Sequence, residues 1–212
     1  CGSSPETPAS TLTSRFSSTT PGPLRRSLWP WRQSFRHRLR AQAVSEPSTA
    51  TISELVQRLL GDDAATRATA AEQLCRAGEA AADAAVPLVR ACGDPEPQVR
   101  DWAVAALEEL GAPPVNALDE LMELAASNHP LVAYWAITLL GRSGQAAAAA
   151  VRMLAERLGP ASDPAVAQRA AWALGKIGPA AASAAGSLRT AADSDDPRLA
   201  RLAQEALSAI GG

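Results

Sequence analysis

The sequence predicts an all-α protein: a right-handed α-solenoid of five helix pairs over residues 51–212, preceded by a disordered tail over residues 1–50. Two observations predict it. Glycines recur at 78, 111, 144, 178 and 211, spaced 33, 33, 34 and 33 apart, and a fixed period of this length is the signature of stacked helical hairpins. Ahead of each glycine the apolar residues keep helical spacing. Leu74, Leu107, Leu140, Leu174 and Leu207 stand four before it, Ala70, Ala103, Ala136, Ala170 and Ala203 eight before, and Thr66, Val99, Val132, Val166 and Leu199 twelve before. Steps of four return to one helical face.

This glycine-terminated helix, B, also carries a start signal. Pro97, Pro130, Pro164 and Pro197 share one register position, with Ala64 as the fifth. Asp63, Asp163 and Asp196 come just before it, replaced by Glu96 and His129 in the middle units. A carboxylate followed by proline is an N-cap and first-turn pattern, because the acid accepts free amides and proline lacks the hydrogen that would be orphaned. The glycine is the expected C-cap. A second helix, A, precedes each B helix; its stripe reads Ile52, Leu55, Val56, Leu59 in the first unit and Leu118, Leu121, Met122, Ala125 in the third. The pairs therefore fall at about 51–78, 79–111, 112–144, 145–178 and 179–211. One hairpin cannot bury its stripe alone, so neighbours must stack into a continuous core.

Composition agrees. Apolar residues make up 47% of the 212 and aromatics only 4%, so alanine and leucine dominate, as in closely packed helices. No apolar stretch reaches the roughly 18 residues of a membrane span. The only histidines are His37 and His129, the latter at a helix start where it caps. No Gly-rich phosphate loop, HExxH, GxSxG or Cys-x-x-Cys occurs. Three cysteines at 1, 75 and 92 form neither a metal spacing nor an even disulfide set; Cys75 and Cys92 read as buried thiols. No catalytic residue, cofactor or metal ligand is expected.

The net charge of −2 conceals two unlike parts. Residues 1–45 hold seven arginines against Glu6 alone, whereas the remainder holds 13 basic and 21 acidic groups. Residues 1–23 are rich in Ser, Thr and Pro and are expected to be disordered. Residues 24–40 interleave arginine with Trp29, Trp31 and Phe35, which leaves open a bare disordered tail or a strip that binds anionic lipid or nucleic acid. Cys-Gly-Ser-Ser at the start resembles the mature end of a bacterial lipoprotein, which implies a lipid on Cys1. A cytoplasmic location is favoured, with that anchor as the other expectation.

The units DPEPQVRDWAVAALEELG (94–111) and SDPAVAQRAAWALGKIG (162–178) resemble the short HEAT-like repeat of the family that includes the phycobilisome lyases. Its pattern reads D-x-x-x-x-V-R-x-x-A-x-x-A-L-G-x-[IL]-G. The resemblance covers residues 51–212 and departs at the arginine after valine, present as Arg67 and Arg100 but replaced by Ala133, Ala167 and Ala200. It implies B helices lining a concave surface where a partner binds. Most such arrays are adaptors, although the family includes bilin attachment and detachment enzymes. The expected function is thus a non-catalytic scaffold for a protein or peptide. The alternatives are a bilin-lyase-like, tetrapyrrole-handling subunit, or nucleic-acid or anionic-membrane binding through the tail.

Stepping 100° per residue around helix B puts Ala68, Asp101, Tyr134, Gln168 and Arg201 opposite the core. Glu72, Ala105, Thr138, Trp172 and Glu205 run beside them. From these rows Asp101, Tyr134, Gln168, Trp172 and Arg201 are the expected partner-binding residues, the two aromatics suiting a contact hot spot. Trp172 has a second reading, packing across neighbouring B helices. Trp102 and Trp135 share one flank position and are expected to fill seams between repeats. Arg67 and Arg100 are expected to pair with loop acids such as Asp62 or Asp94.

Overall fold

The computed structural model describes residues 50–211, and these form a run of helix pairs with no strand among the described residues. The A helices are α1 (Ile52–Leu59), α3 (Ala85–Ala91), α5 (Leu118–Ala125), α7 (Val151–Glu156) and α9 (Ala185–Ala192). The B helices are α2 (Ala64–Ala77), α4 (Pro97–Glu109), α6 (Pro130–Arg142), α8 (Pro164–Ile177) and α10 (Pro197–Gly211). Short segments of tighter helix, Gly78–Ala84, Val115–Ala117, Gly144–Ala150 and Gly178–Ala184, lead into the later A helices. The tail expected over residues 1–50, its basic aromatic strip and Cys1 lie outside the described residues, Ala50 excepted.

The starts of the helices follow the sequence except at α4, where Glu96 holds the N-cap position without a side-chain cap bond. Asp63 accepts the amide of Thr66 at 2.8 Å, and Asp163 accepts those of Ala165 and Val166 at 2.9 and 3.3 Å. Asp196 accepts those of Arg198 and Leu199 at 2.9 and 3.3 Å. His129 caps through Nδ1, which accepts from the amide of Val132 at 3.4 Å. Thr51 and Glu54 close a reciprocal capping box on α1.

The ends differ more. Gly78, Gly144 and Gly178 take positive φ (57°, 54° and 72°), the backbone state that glycine permits, and so stop α2, α6 and α8. Neither Gly211, which stays within α10, nor Gly111 does, which corrects the expected uniform C-cap. At Gly111, α4 leaves through Leu110 in extended conformation, and Ala112 precedes the Pro113-Pro114 pair, which disfavours helical backbone before it. The last carbonyls of α4 are instead taken by Arg142 from the next repeat, whose guanidinium donates to Leu107 O at 2.7 Å and also to Leu110 O.

The core runs unbroken from Leu55 to Ala206, with the repeated leucines 74, 107, 140 and 174 fully buried. Successive B helices pack backbone-close at three seams, α2 on α4, α6 on α8 and α8 on α10. The third repeat meets the second chiefly through α3, which packs on α5 and α6. Side-chain size at one register position accounts for this. A Cβ on Gly141 would lie 3.1 Å from Ala173 Cα, and one on Gly175 would lie 3.1 Å from Ala206 Cα. The equivalent pair between the first two repeats is Cys75 and Ala106, again small; between the second and third it is Glu108 and Leu139. The two longer side chains there coincide with the wider separation of α4 and α6.

A loop ion pair ties the first two repeats together. Arg67 makes two bonds to Asp94 of the following unit, Nε to Oδ2 at 2.7 Å and Nη2 to Oδ1 at 3.0 Å, and also donates to the carbonyls of Gly61 and Asp62. Arg100 departs from the expectation of an acidic partner: it donates to the backbone carbonyls of Asp94 and Pro95. With the Asp94 carboxylate engaged by Arg67, Arg100 serves the loop backbone.

Candidate functional site

The outward rows of the B helices are less open than a single helix wheel implies. Asp101 and Arg201 are exposed, while Tyr134, Gln168 and Trp172 are half-buried. Ala68, Ala105 and Thr138 of the same two rows are buried. Their side chains are short and lie below the level of the neighbouring helices, so close packing of consecutive units covers them. The row is therefore an interrupted one, with its bulk in repeats three and four.

Tyr134 and Trp172 come together there through a residue that the helix-wheel argument passes over. Arg169 sits between their rings, its Cζ 4.4 Å from the centroid of Tyr134 and 4.9 Å from that of Trp172. Its Nη2 also donates to the Tyr134 hydroxyl. Stacking of a guanidinium on aromatic faces is a favourable arrangement for a planar, weakly hydrated cation. Burial, with the charge of nearby Arg198 adding to it, pushes the pKa of Arg169 down to about 10, so it remains a cation at neutral pH. On the outer side of Trp172, Lys176 Nζ lies 5.9 Å from the ring centroid.

The scaffold beneath is specific. Trp135 meets Tyr134 edge to face, with ring centroids 5.6 Å apart and an interplanar angle of 82°. Trp135 and Trp102 are both nearly sealed, at 6% and 5% exposure, as seam fillers require. Arg169 occupies the register position of these two tryptophans, nine before the terminal glycine. An arginine where neighbouring units place tryptophan was the signal in the sequence that could have drawn attention to it.

The other expected residues behave differently. The Gln168 side-chain amide donates to Asp196 Oδ2 at 2.6 Å, which links α8 to the cap of α10; this bond, above all, holds the Asp196 carboxyl below its ordinary range. Arg201 pairs with Glu205 on its own helix. Asp101 lies in the second repeat and makes no ion pair among the described residues. The structure thus joins Tyr134 and Trp172, adds Arg169, and leaves Asp101 and Arg201 outside the cluster. Among the described residues no group of His, Cys, Asp and Glu could hold a metal ion, and no helix is long and apolar enough to cross a membrane.

Comparisons with known proteins agree with this architecture. An engineered protein of known crystal structure is 24% identical, with a TM-score of 0.55 over 76% of this chain and 79% of that one. A designed armadillo repeat protein in complex with the peptide (KR)4 is 19% identical, with a TM-score of 0.57 over 84% of this chain and 86% of that one. At such identities the likeness is one of fold. No curated protein matches the chain. The family model for HEAT repeats matches residues 52–129 and again 118–208, together spanning all five helix pairs, and the chain belongs to the HEAT-repeat family.

Proposed function

We propose that residues 51–212 form a non-catalytic scaffold that binds a partner protein or peptide along the outward side of the B helices, centred on Tyr134 and Trp172. The observation that carries this is the Tyr134–Arg169–Trp172 stack. Tyrosine, tryptophan and arginine are the residues that most often dominate binding energy, and they do so where rigid neighbours hold them. Here the stack is fixed from below by Trp135 and left half-open above. The array is of a kind generally used to bind proteins, and the designed armadillo neighbour holds a peptide. The buried thiols of Cys75 and Cys92 are pushed up by burial and are poor nucleophiles, which agrees with a scaffold.

The test is chemical cross-linking with mass spectrometry in the native source, followed by comparison of variants. Trp172→Ala and Tyr134→Ala should each reduce cross-linking to the partner at least about tenfold, the usual scale of a hot-spot loss. Arg152→Ala, on the exposed side of α7, should leave it unchanged. Undiminished cross-linking in both aromatic variants would remove the B-helix face as the binding surface.

A further inference from the structure

The cations around the stack belong to those that carry no ion pair among the described residues. Arg67, Arg76, Arg90, Arg152 and Arg201 each have a carboxylate within ion-pair distance. Arg169, Lys176 and Arg198 have none among the described residues. Arg169 is the least usual of them, because it is half-buried without a counter-charge, a costly state for a cation. Its Cζ lies over the rings of Tyr134 and Trp172, and its Nη2 donates to the Tyr134 hydroxyl. Nε and Nη1 have no acceptor among the described residues. Neither is sealed from solvent: the one sealed side-chain polar atom without a partner there is Gln73 Oε1. A guanidinium stacked on its faces and open along an edge presents coplanar N–H donors, the geometry that matches a planar carboxylate.

Charge along the chain points the same way. Residues 50–129 contain fourteen acidic and five basic groups, whereas residues 130–211 contain six acidic and eight basic. The Tyr134–Arg169–Trp172 stack lies within residues 130–211, the less acidic part, so an anionic segment is repelled there less than along residues 50–129.

Resting on the interaction-face reading above, we propose that Arg169, held between Tyr134 and Trp172, anchors a glutamate or aspartate side chain of an acidic peptide segment in the partner protein. Arg198 and Lys176 supply the surrounding positive charge, and the segment lies across the B helices α6, α8 and α10. Tyr134 and Trp172 hold the guanidinium edge outward and cover the stem of the bound acid.

Binding of a fluorescently labelled oligoglutamate peptide to the full chain, read by anisotropy, tests this. The arginine-rich residues 1–45 contribute equally in every variant, so comparisons between variants isolate the site. Arg169→Gln should weaken binding about tenfold or more, the loss expected for a charge-assisted bidentate contact. Arg152→Gln, which removes the same charge from an exposed position, should leave it within about twofold. Equal effects of the two substitutions would overturn the proposal. So would displacement of the peptide by inorganic phosphate at concentrations where acetate is inert, which would make the site one for phosphate. Should Arg169→Gln fail to fold, the Nε–Hε resonance of Arg169 in the unaltered protein serves instead: a shift on adding oligoglutamate supports the anchor, and an unmoved resonance at saturation refutes it. If oligoglutamate fails these tests while Trp172→Ala still loses the native partner, the binding face stands and its assignment to acidic peptides falls.

Discussion

Trp172 rests on Gly141. A Cβ added to Gly141 would stand 2.4 Å from Cζ3 of the indole and 3.1 Å from Cα of Ala173. The same tryptophan that flanks Arg169 is therefore seated in the seam between α6 and α8, as its packing reading expects, and the proposed partner contact concerns the half-open side of the ring. The absent side chain at 141 sets the height of the indole and, through it, the position of the guanidinium.

Gly141→Ala should accordingly destabilise the fold. Alanine improves helix propensity by about 1 kcal/mol, but overpacking costs about 1–3 kcal/mol, and the obstruction includes backbone that cannot swing away. The expected net loss is about 1 kcal/mol, read from the urea midpoint. Gly186→Ala in α9 has nothing within 4 Å of the added methyl and should be neutral or stabilising. If both substitutions stabilise equally, the seat is not tight.

Much of this was legible in the residue order. The period, the caps at Asp63, Asp163 and Asp196, and the buried leucine stripe all follow from local rules that act within one helix. What was not legible depends on two helices at once. Ala105 and Thr138 point away from the core of their own units yet are covered, because the depth of a short side chain is set by the helix beside it. Arg169 occupies a seam-flank position, and only the neighbouring Tyr134 brings it into the aromatic cluster. Gly111 carries the register mark of a cap, but the two prolines after it direct the backbone elsewhere.

That departure at Gly111 makes Arg142 the effective cap of α4. Arg142→Met, which keeps the apolar stem, should cost about 1–3 kcal/mol, since the last-turn carbonyls of Leu107 and Leu110 lose a charged donor. Burial lowers the Arg142 pKa, yet it remains cationic at neutral pH. Denaturant unfolding measures the loss. Amide exchange should locate it at the end of α4, and a loss confined to α6 would contradict the capping role.

The Arg67–Asp94 pair predicts an acid limb. Burial by itself would raise the Asp94 pKa, but the hydrogen bond from Arg67, the amide of Glu96 and the charges of Arg67 and Arg100 together hold it below its ordinary value. A carboxyl depressed in the folded state stabilises above its unfolded pKa, about 4, and that contribution fades as pH falls through the lower folded value. Thermal melts from neutrality down to about pH 2 should show a shallower decline for Asp94→Asn than for the unaltered chain. Parallel declines would mean that the pair does not couple to folding.

Cys75 and Cys92 should resist thiol reagents in the folded protein. Burial pushes Cys75 up to about 11, with the charges of Glu109 and Glu108 adding to the rise, and pushes Cys92 higher still. The thiolate is the reactive form, so at neutral pH both stay inert until unfolding. Peptide mapping after a maleimide pulse checks this: modification of either at the native rate of a free thiol would show that α2 or α3 opens readily.

Trp135 and Trp172 offer the sharpest separation of architecture from binding. Trp135 is 6% exposed, meets Tyr134 edge to face and lies under Arg142, whose Cζ is 6.0 Å from its ring centroid. Its truncation to alanine opens a cavity where α4 and α6 already stand apart, and large-to-small changes of this kind cost about 3–5 kcal/mol. Trp172 is half-buried, and its removal leaves space that solvent can enter, so the loss of stability should be clearly smaller. Partner affinity should follow the reverse order when measured on folded protein below either melting point. A Trp172→Ala variant as unstable as Trp135→Ala, with partner affinity intact, would assign the indole wholly to the seam and leave Arg169 stacked for packing alone.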